Sequence, residues 1–336
     1  MTDPAAALDP RPKAWRILWL GLSTALLLGA VFFFVPVGDI LSRLRQLRLE
    51  TILAALALST FFNALVYADR WRMALRHLDI TPRLGTIVRV FVATGPFRLL
   101  LPNQTGELAA GAMLAGYADI PIGPTISTQI YNKYLTLLAT FLLLAVGVLA
   151  GAPTHLNFLR WVAGFTIAVL GAFFVLETKW GRRLFIGIAK EFGRTPGRVM
   201  LALLSAFERL SPLAKLKLLA YTIVFQASEI VVCYLLFRDL GIELPLGQLI
   251  AYVQLMILAA ALPISFAGTG TREGVALLLL APVAGRDVAV AAGLAYSFFE
   301  YLWPLLMGLP LTAGVGMKVF HKAMGRLQAW RSGAEE

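Results

Sequence analysis

The chain has 336 residues, of which 59% are hydrophobic and 15% charged, with a mean hydropathy of +0.76 and a net charge of +11. A soluble domain is about 45–50% apolar and roughly 25% charged, so this is the composition of a polytopic α-helical membrane protein, with no room for a soluble catalytic domain. The basic excess marks a cytoplasmic boundary rather than a nucleic-acid surface, and one cysteine, Cys233, excludes an internal disulfide or a cysteine-held metal.

Residues 1–14, with Pro4, Pro10 and Pro12, read as a disordered tail. A first span over 15–35, led by Trp15, Arg16 and Trp19, is too long for a signal-peptide core and has no clear cleavage site. Residues 39–50 set Ile40, Leu41, Leu44 and Leu47 against Arg43, Arg45 and Arg48, as a helix lying on a membrane surface does. The second span, 51–68, ends in DRWRMALR, where Asp69, Arg70, Arg72 and Arg76 read as an aqueous boundary.

A helix over 84–101 follows, with Arg89 read as snorkelling and Arg98 close to a helix break. Spans are expected at 122–150, 157–176, 218–237, 248–262 and 287–314. Between them, 177–217 holds nine Lys/Arg against three Glu and reads as a cytoplasmic amphipathic segment; the tail 316–336 is basic too.

Two stretches break the apolar pattern in the same order. LLPNQTGELAAGAMLAG (100–116) and LPISFAGTGTREGVALLLL (262–280) each run from a Leu-Pro helix end through a polar break to Thr-x-Glu, and Thr105 and Thr271 lie 166 residues apart. Pro102 and Pro263 remove an amide donor, and freed backbone groups at membrane depth are tolerated only against protein or a wet cavity. Thr105 and Thr271 are expected to be N-caps, with Glu107 and Glu273 in the first turn.

In the plainer reading these glutamates only cap; in the sharper one, the helix starts, Gly268, Gly270 and Arg272 form an anion site. Glu107 and Glu273 would then pair with Arg98, Lys133 or Arg272, or take up protons. A second echo, YNKYLT (131–136) and FFEYLW (298–303), sets Lys133 and Glu300 in matching places with opposite charge, able to bridge the halves or to pair within each. Tyr131, Tyr134, Tyr296 and Tyr301 read as packing residues. His77, His155 and His321 lack metal-ligand spacing, and no metal or other cofactor is expected.

The expected fold is an all-α membrane bundle of eight to ten crossings. It is built from two five-helix inverted repeats, 15–150 and 151–315, each with a short broken or re-entrant helix, and both termini are cytoplasmic. Such repeats bring discontinuous helices together near the membrane midplane.

The LPN-x-x-GE of 101–107 and the LP-x-S-x-x-G-x-G-x-RE-G of 262–274 resemble the lysylphosphatidylglycerol synthase transmembrane region family over roughly 15–315. Asn132-Lys133 stands where that family often shows an acidic-basic pair, and Glu300 where a basic residue is expected. The resemblance implies a flippase-like membrane part, without the soluble aminoacyltransferase and so without synthase activity.

The expected function is therefore a non-enzymatic transporter of the inner membrane that moves an anionic phospholipid or lipid-linked intermediate between leaflets. The candidate binding residues are Arg98, Asn103, Thr105, Glu107, Lys133, Ser265, Gly268, Gly270, Thr271, Arg272, Glu273 and Glu300. A non-transporting partner of a lipid-modifying enzyme or glycosyltransferase, docked on 177–217, and a proton-coupled small-anion carrier are the alternatives. A homo-oligomer fits any of the three.

Overall fold

The computed structural model describes residues 11–100, 105–151, 157–191, 208–262, 264–265, 268–315, 319, 322–323 and 325–326. Every regular element among them is helical. α1 (Arg11–Phe34) turns into α2 (Val37–Leu44), and α3 (Leu49–Thr60) runs through a π-helical turn at Phe61–Val66 into α4 (Tyr67–Arg76). α5 (Leu84–Ala93), α6 (Gly95–Leu100), α7 (Thr105–Ala118) and α8 (Ile122–Leu149) complete the first half. The second half holds α9 (Asn157–Glu177), α10 (Lys179–Glu191), α11 (Pro212–Asp239), α12 (Leu246–Ala261) and α13 (Thr271–Ala284). It ends with α14 (Arg286–Ser297), a second π-helical turn at Phe298–Leu302, and α15 (Trp303–Val315).

Among the described residues, four continuous helices are long and apolar enough to cross a membrane: Leu49–Arg76, Ile122–Leu149, Pro212–Asp239 and Arg286–Thr312. The pairs α1/α2 and α9/α10, bent by 84° and 98°, raise the number to six. The eight to ten crossings read from hydropathy also count the shorter apolar helices Leu84–Ala93, Leu108–Ala118 and Leu246–Ala261. At 1.5 Å per residue even the 16 residues of α12 span about 24 Å, less than a hydrocarbon core of about 30 Å.

The series of elements repeats. Each half has a bent pair, a 28-residue helix (Leu49–Arg76, Pro212–Asp239), a shorter apolar helix, a 14-residue helix (α7, α13) and a final long helix. The halves are interlocked, because α12 lies along α8 and α15 lies along α5 and α6. Glycines set these approaches: a Cβ on Gly147 would stand 2.6 Å from the Ala251 nitrogen, and one on Gly308 2.5 Å from the Val92 carbonyl oxygen. At the rim, Arg43 pairs with Asp287 at 2.7 Å and Arg48 with Asp239 at 2.8 Å, so the expected surface helix is fastened to the second half.

Three local expectations change. α1 begins at Arg11, inside the stretch read as a tail. The helix expected over 84–101 is divided at Thr94, where Gly95-Pro96 follows and Pro96 has no amide proton to continue the ladder. The second span does not stop at Ala68 but continues to Arg76, and Arg70 is 1% exposed rather than at an aqueous boundary. Its neighbours Asp69 and Arg72 are half-buried and paired at 3.1 Å.

Candidate functional site

α12 ends at Ala261 with Leu262 extended, and Ser265 is buried beyond it. Gly268 (φ +78°) and Gly270 (φ +87°) then take the left-handed conformation that glycine adopts without steric cost. A Cβ at Gly268 would also lie 2.5 Å from the Ala260 Cα, and one at Gly270 2.6 Å from the Leu27 Cβ of α1. The glycines therefore let the resumed helix start tight against its neighbours.

The cap differs from the expectation. Gly270, not Thr271, is the N-cap: its N–H donates to Glu273 Oε2 at 2.6 Å, and its carbonyl accepts from the Gly274 N–H at 2.9 Å. The Thr271 hydroxyl turns back to the Gly268 carbonyl at 2.8 Å and lies 3.3 Å from Ser265 Oγ. With no side chain at Gly270 to cap, the carboxylate three residues on takes its amide.

Arg272, the next residue inward, is 1% exposed. One N–H donates to Ser297 Oγ on α14 at 2.9 Å, and the Ser297 hydroxyl donates to Glu273 Oε1 in a short hydrogen bond, so a single serine joins the cation to the carboxylate. The guanidinium carbon stands 4.1 Å from the Tyr301 ring centre and 5.1 Å from that of Tyr296, a cation–π arrangement. Arg272 Nε is buried and has no hydrogen-bond partner. Leaving such a donor unmade costs about 1–3 kcal/mol, so the fold alone does not satisfy this group.

The network continues into α11. The Tyr296 hydroxyl donates to Glu229 Oε2 at 3.1 Å, and Glu229 is 8% exposed near the middle of its helix. It faces a pocket shared with Ser59, Asn63, Ser228, Phe299 and Glu300, whose free volume of ≈ 10 Å³ is about that of one water. Glu300, Arg272 and Lys133 all lie within electrostatic range of Glu229. Two cations, Arg272 and Lys133, therefore meet three carboxylates, Glu229, Glu273 and Glu300, among the described residues. The surroundings of the anion site read from the sequence are in this respect carboxylate-rich.

Of the residues singled out in the sequence, Ser265, Gly268, Gly270, Thr271, Arg272 and Glu273 form one cluster, with Lys133 and Glu300 in its field. Asn103, Pro102 and Pro263 lie outside the described residues, as do the side chains of Arg98, Thr105 and Glu107. Tyr296 and Tyr301, read as packing, hold the charged groups. Glu229 and Ser297 were missed. A lone carboxylate in the apolar run of α11 is itself a signal, since ionisable groups at membrane depth are expensive, but it belongs to neither repeated motif.

A family model described as the lysylphosphatidylglycerol synthase TM region matches residues 18–308. No curated protein matches the chain.

Proposed function

The chain belongs to the lysylphosphatidylglycerol synthase TM region family, and from that premise we propose that it is a transporter or flippase, not an enzyme. Its cargo is an anionic lipid or lipid-linked intermediate, moved between the leaflets of the cell inner membrane by a chain with both termini on the cytoplasmic side. The observation that carries this reading is Arg272, a guanidinium 1% exposed among membrane helices whose Nε–H has no acceptor. A phosphate oxygen is the acceptor that suits a guanidinium best.

The side chains divide the work. Tyr296 and Tyr301 hold the guanidinium over their rings, Ser297 fixes one of its N–H groups, and Glu273 anchors that serine to the start of α13. A headgroup bound at Nε displaces none of these contacts, and its acyl chains stay in lipid. Ligand pockets run to about 300–1,000 Å³, so the ≈ 10 Å³ beside Glu229 must widen before it takes a headgroup. Opening falls to the break between α12 and α13, where among the described residues the Thr271 hydroxyl bonds the Gly268 carbonyl and lies beside Ser265 Oγ. Two halves of opposite orientation, each carrying such a break, would expose the site to the leaflets in turn.

The test uses vesicles of phosphatidylethanolamine and phosphatidylglycerol containing the full chain and a fluorescent phosphatidylglycerol. Wild type moves the probe between leaflets, and Arg272→Gln slows movement by about 100-fold, as expected when one partner of a buried charged hydrogen bond is removed. Equal rates in the two proteins sink the reading. Movement of none of the lipids tried, with retained binding of a lipid-modifying enzyme, would favour the docking alternative, and uptake of a small soluble anion would favour the carrier.

A further inference from the structure

Glu229 takes no part in the headgroup contacts above. It is nine-tenths buried near the centre of a 28-residue apolar helix. It accepts one hydrogen bond, from Tyr296 on Oε2; among the described residues no donor reaches Oε1 and no cation lies within ion-pair distance. The same carboxylate lines the small pocket, and Glu300 lines it too.

Two carboxylates facing one water-sized pocket each make ionisation of the other harder. The other elements around Glu229 offer little compensation. α8 contributes Lys133 and α13 contributes Arg272, both at a distance, while Arg272 is already committed to Ser297 and the two tyrosine rings. Among the described residues, α3 and the turn after it present the neutral Ser59 and Asn63, and α11 itself adds the neutral Ser228 and, one turn on, Cys233.

The pocket wall is also irregular in its backbone. Asn63 lies in one π-helical turn, and Phe299 and Glu300 lie in the other. The turns are clipped together by the Ser59 hydroxyl on the Phe299 carbonyl at 2.9 Å and the Trp303 indole N–H on Thr60 Oγ1 at 2.9 Å. Such turns leave backbone groups out of register and concentrate at functional sites.

We propose that Glu229 is the proton-carrying group of this transporter, loaded on Oε1 from water in the pocket it shares with Glu300. The proton arrives from hydronium, leaving a water, and departs to water when the π-helical wall shifts and the pocket opens to the other side. Glu273, held by the Gly270 amide and Ser297, is the anchor and not the carrier. This inference rests on the transport reading for its consequence, but the proton site can be judged without it.

The direct measurement is an infrared difference spectrum between acid and alkaline pH of the full-length protein in phosphatidylethanolamine–phosphatidylglycerol nanodiscs. A protonated-carboxyl C=O band titrates in wild type, disappears in the isosteric Glu229→Gln, and shifts in frequency and midpoint in Tyr296→Phe. A band that survives Glu229→Gln overturns the assignment. In vesicles, a gradient of about one pH unit coupled to one proton per lipid sustains up to about a tenfold leaflet imbalance of the fluorescent probe, and Glu229→Gln only equalises it. An imbalance that ignores the pH gradient, or follows a sodium gradient instead, overturns the coupling. A titrating band with no probe movement keeps the proton site and overturns both the coupling and the transport reading.

Discussion

Arg70 in α4 and Arg272 in α13 are each 1% exposed. Each stands over a tyrosine ring, Arg70 at 4.5 Å from Tyr67 and Arg272 at 4.1 Å from Tyr301, and each donates an N–H to a hydroxyl at 2.9 Å. They part at the next step. The hydroxyl under Arg70, Thr222, spends its proton on the Leu218 carbonyl of its own helix at 2.7 Å, so that chain of bonds ends in backbone. The hydroxyl under Arg272, Ser297, gives its proton to Glu273, and the neighbouring Tyr296 leads on to Glu229. Burial alone does not separate these two cations; what the partner hydroxyl does with its own proton does.

The largest effect expected from this contrast is at Arg70. Arg70→Gln removes a guanidinium that joins α4 to α11 and leaves the faces of Tyr67 and Phe225 uncovered. It should lower stability by about 3 kcal/mol, read as a fall in the unfolding midpoint in detergent, while probe movement per folded molecule stays at the wild-type level. Arg272→Gln should do the reverse. A transport loss at Arg70 beyond the loss of folded protein would break the comparison.

Gly268→Ala comes next. The residue is left-handed and its Cβ would press on the Ala260 Cα, so strain and overpacking together cost about 2 kcal/mol. Because that glycine sets the path into α13, transport and melting point should fall together, unlike at either arginine. A variant that melts lower yet transports normally would show that Arg272 is positioned from α14 alone.

These contrasts also mark how far the sequence could be read. The second break was legible because Gly268, Gly270 and the Arg272-Glu273 pair are each costly in an apolar helix, and every one of them lies in the cluster. Arg70 was misread because DRWR looks like a membrane rim; only the packing of Thr222 and Phe225 from α11 shows that one of its two arginines turns inward. The π-helical turns have no local signature, since Ser59 to Phe299 and Trp303 to Thr60 are contacts between residues about 240 positions apart. Glu229 gains its setting from Tyr296, Glu300 and Lys133, none of them near it in sequence.

The smallest effect is at Glu273, and it separates capping from charge. In Glu273→Gln the amide oxygen can still accept from the Gly270 N–H, so the cap survives. The new NH2 group, however, faces Ser297, whose oxygen already accepts from Arg272 and whose proton then has no acceptor. One weakened charge-assisted bond and one frustrated hydroxyl amount to about 1 kcal/mol. That appears as a small drop in melting point with a larger slowing of probe movement, because Ser297 is the link that holds the guanidinium. If Glu273→Gln leaves transport at the wild-type rate, Glu273 is a helix cap only and Arg272 is held by its tyrosines. If it slows transport as much as Arg272→Gln does, cation and carboxylate act as one unit.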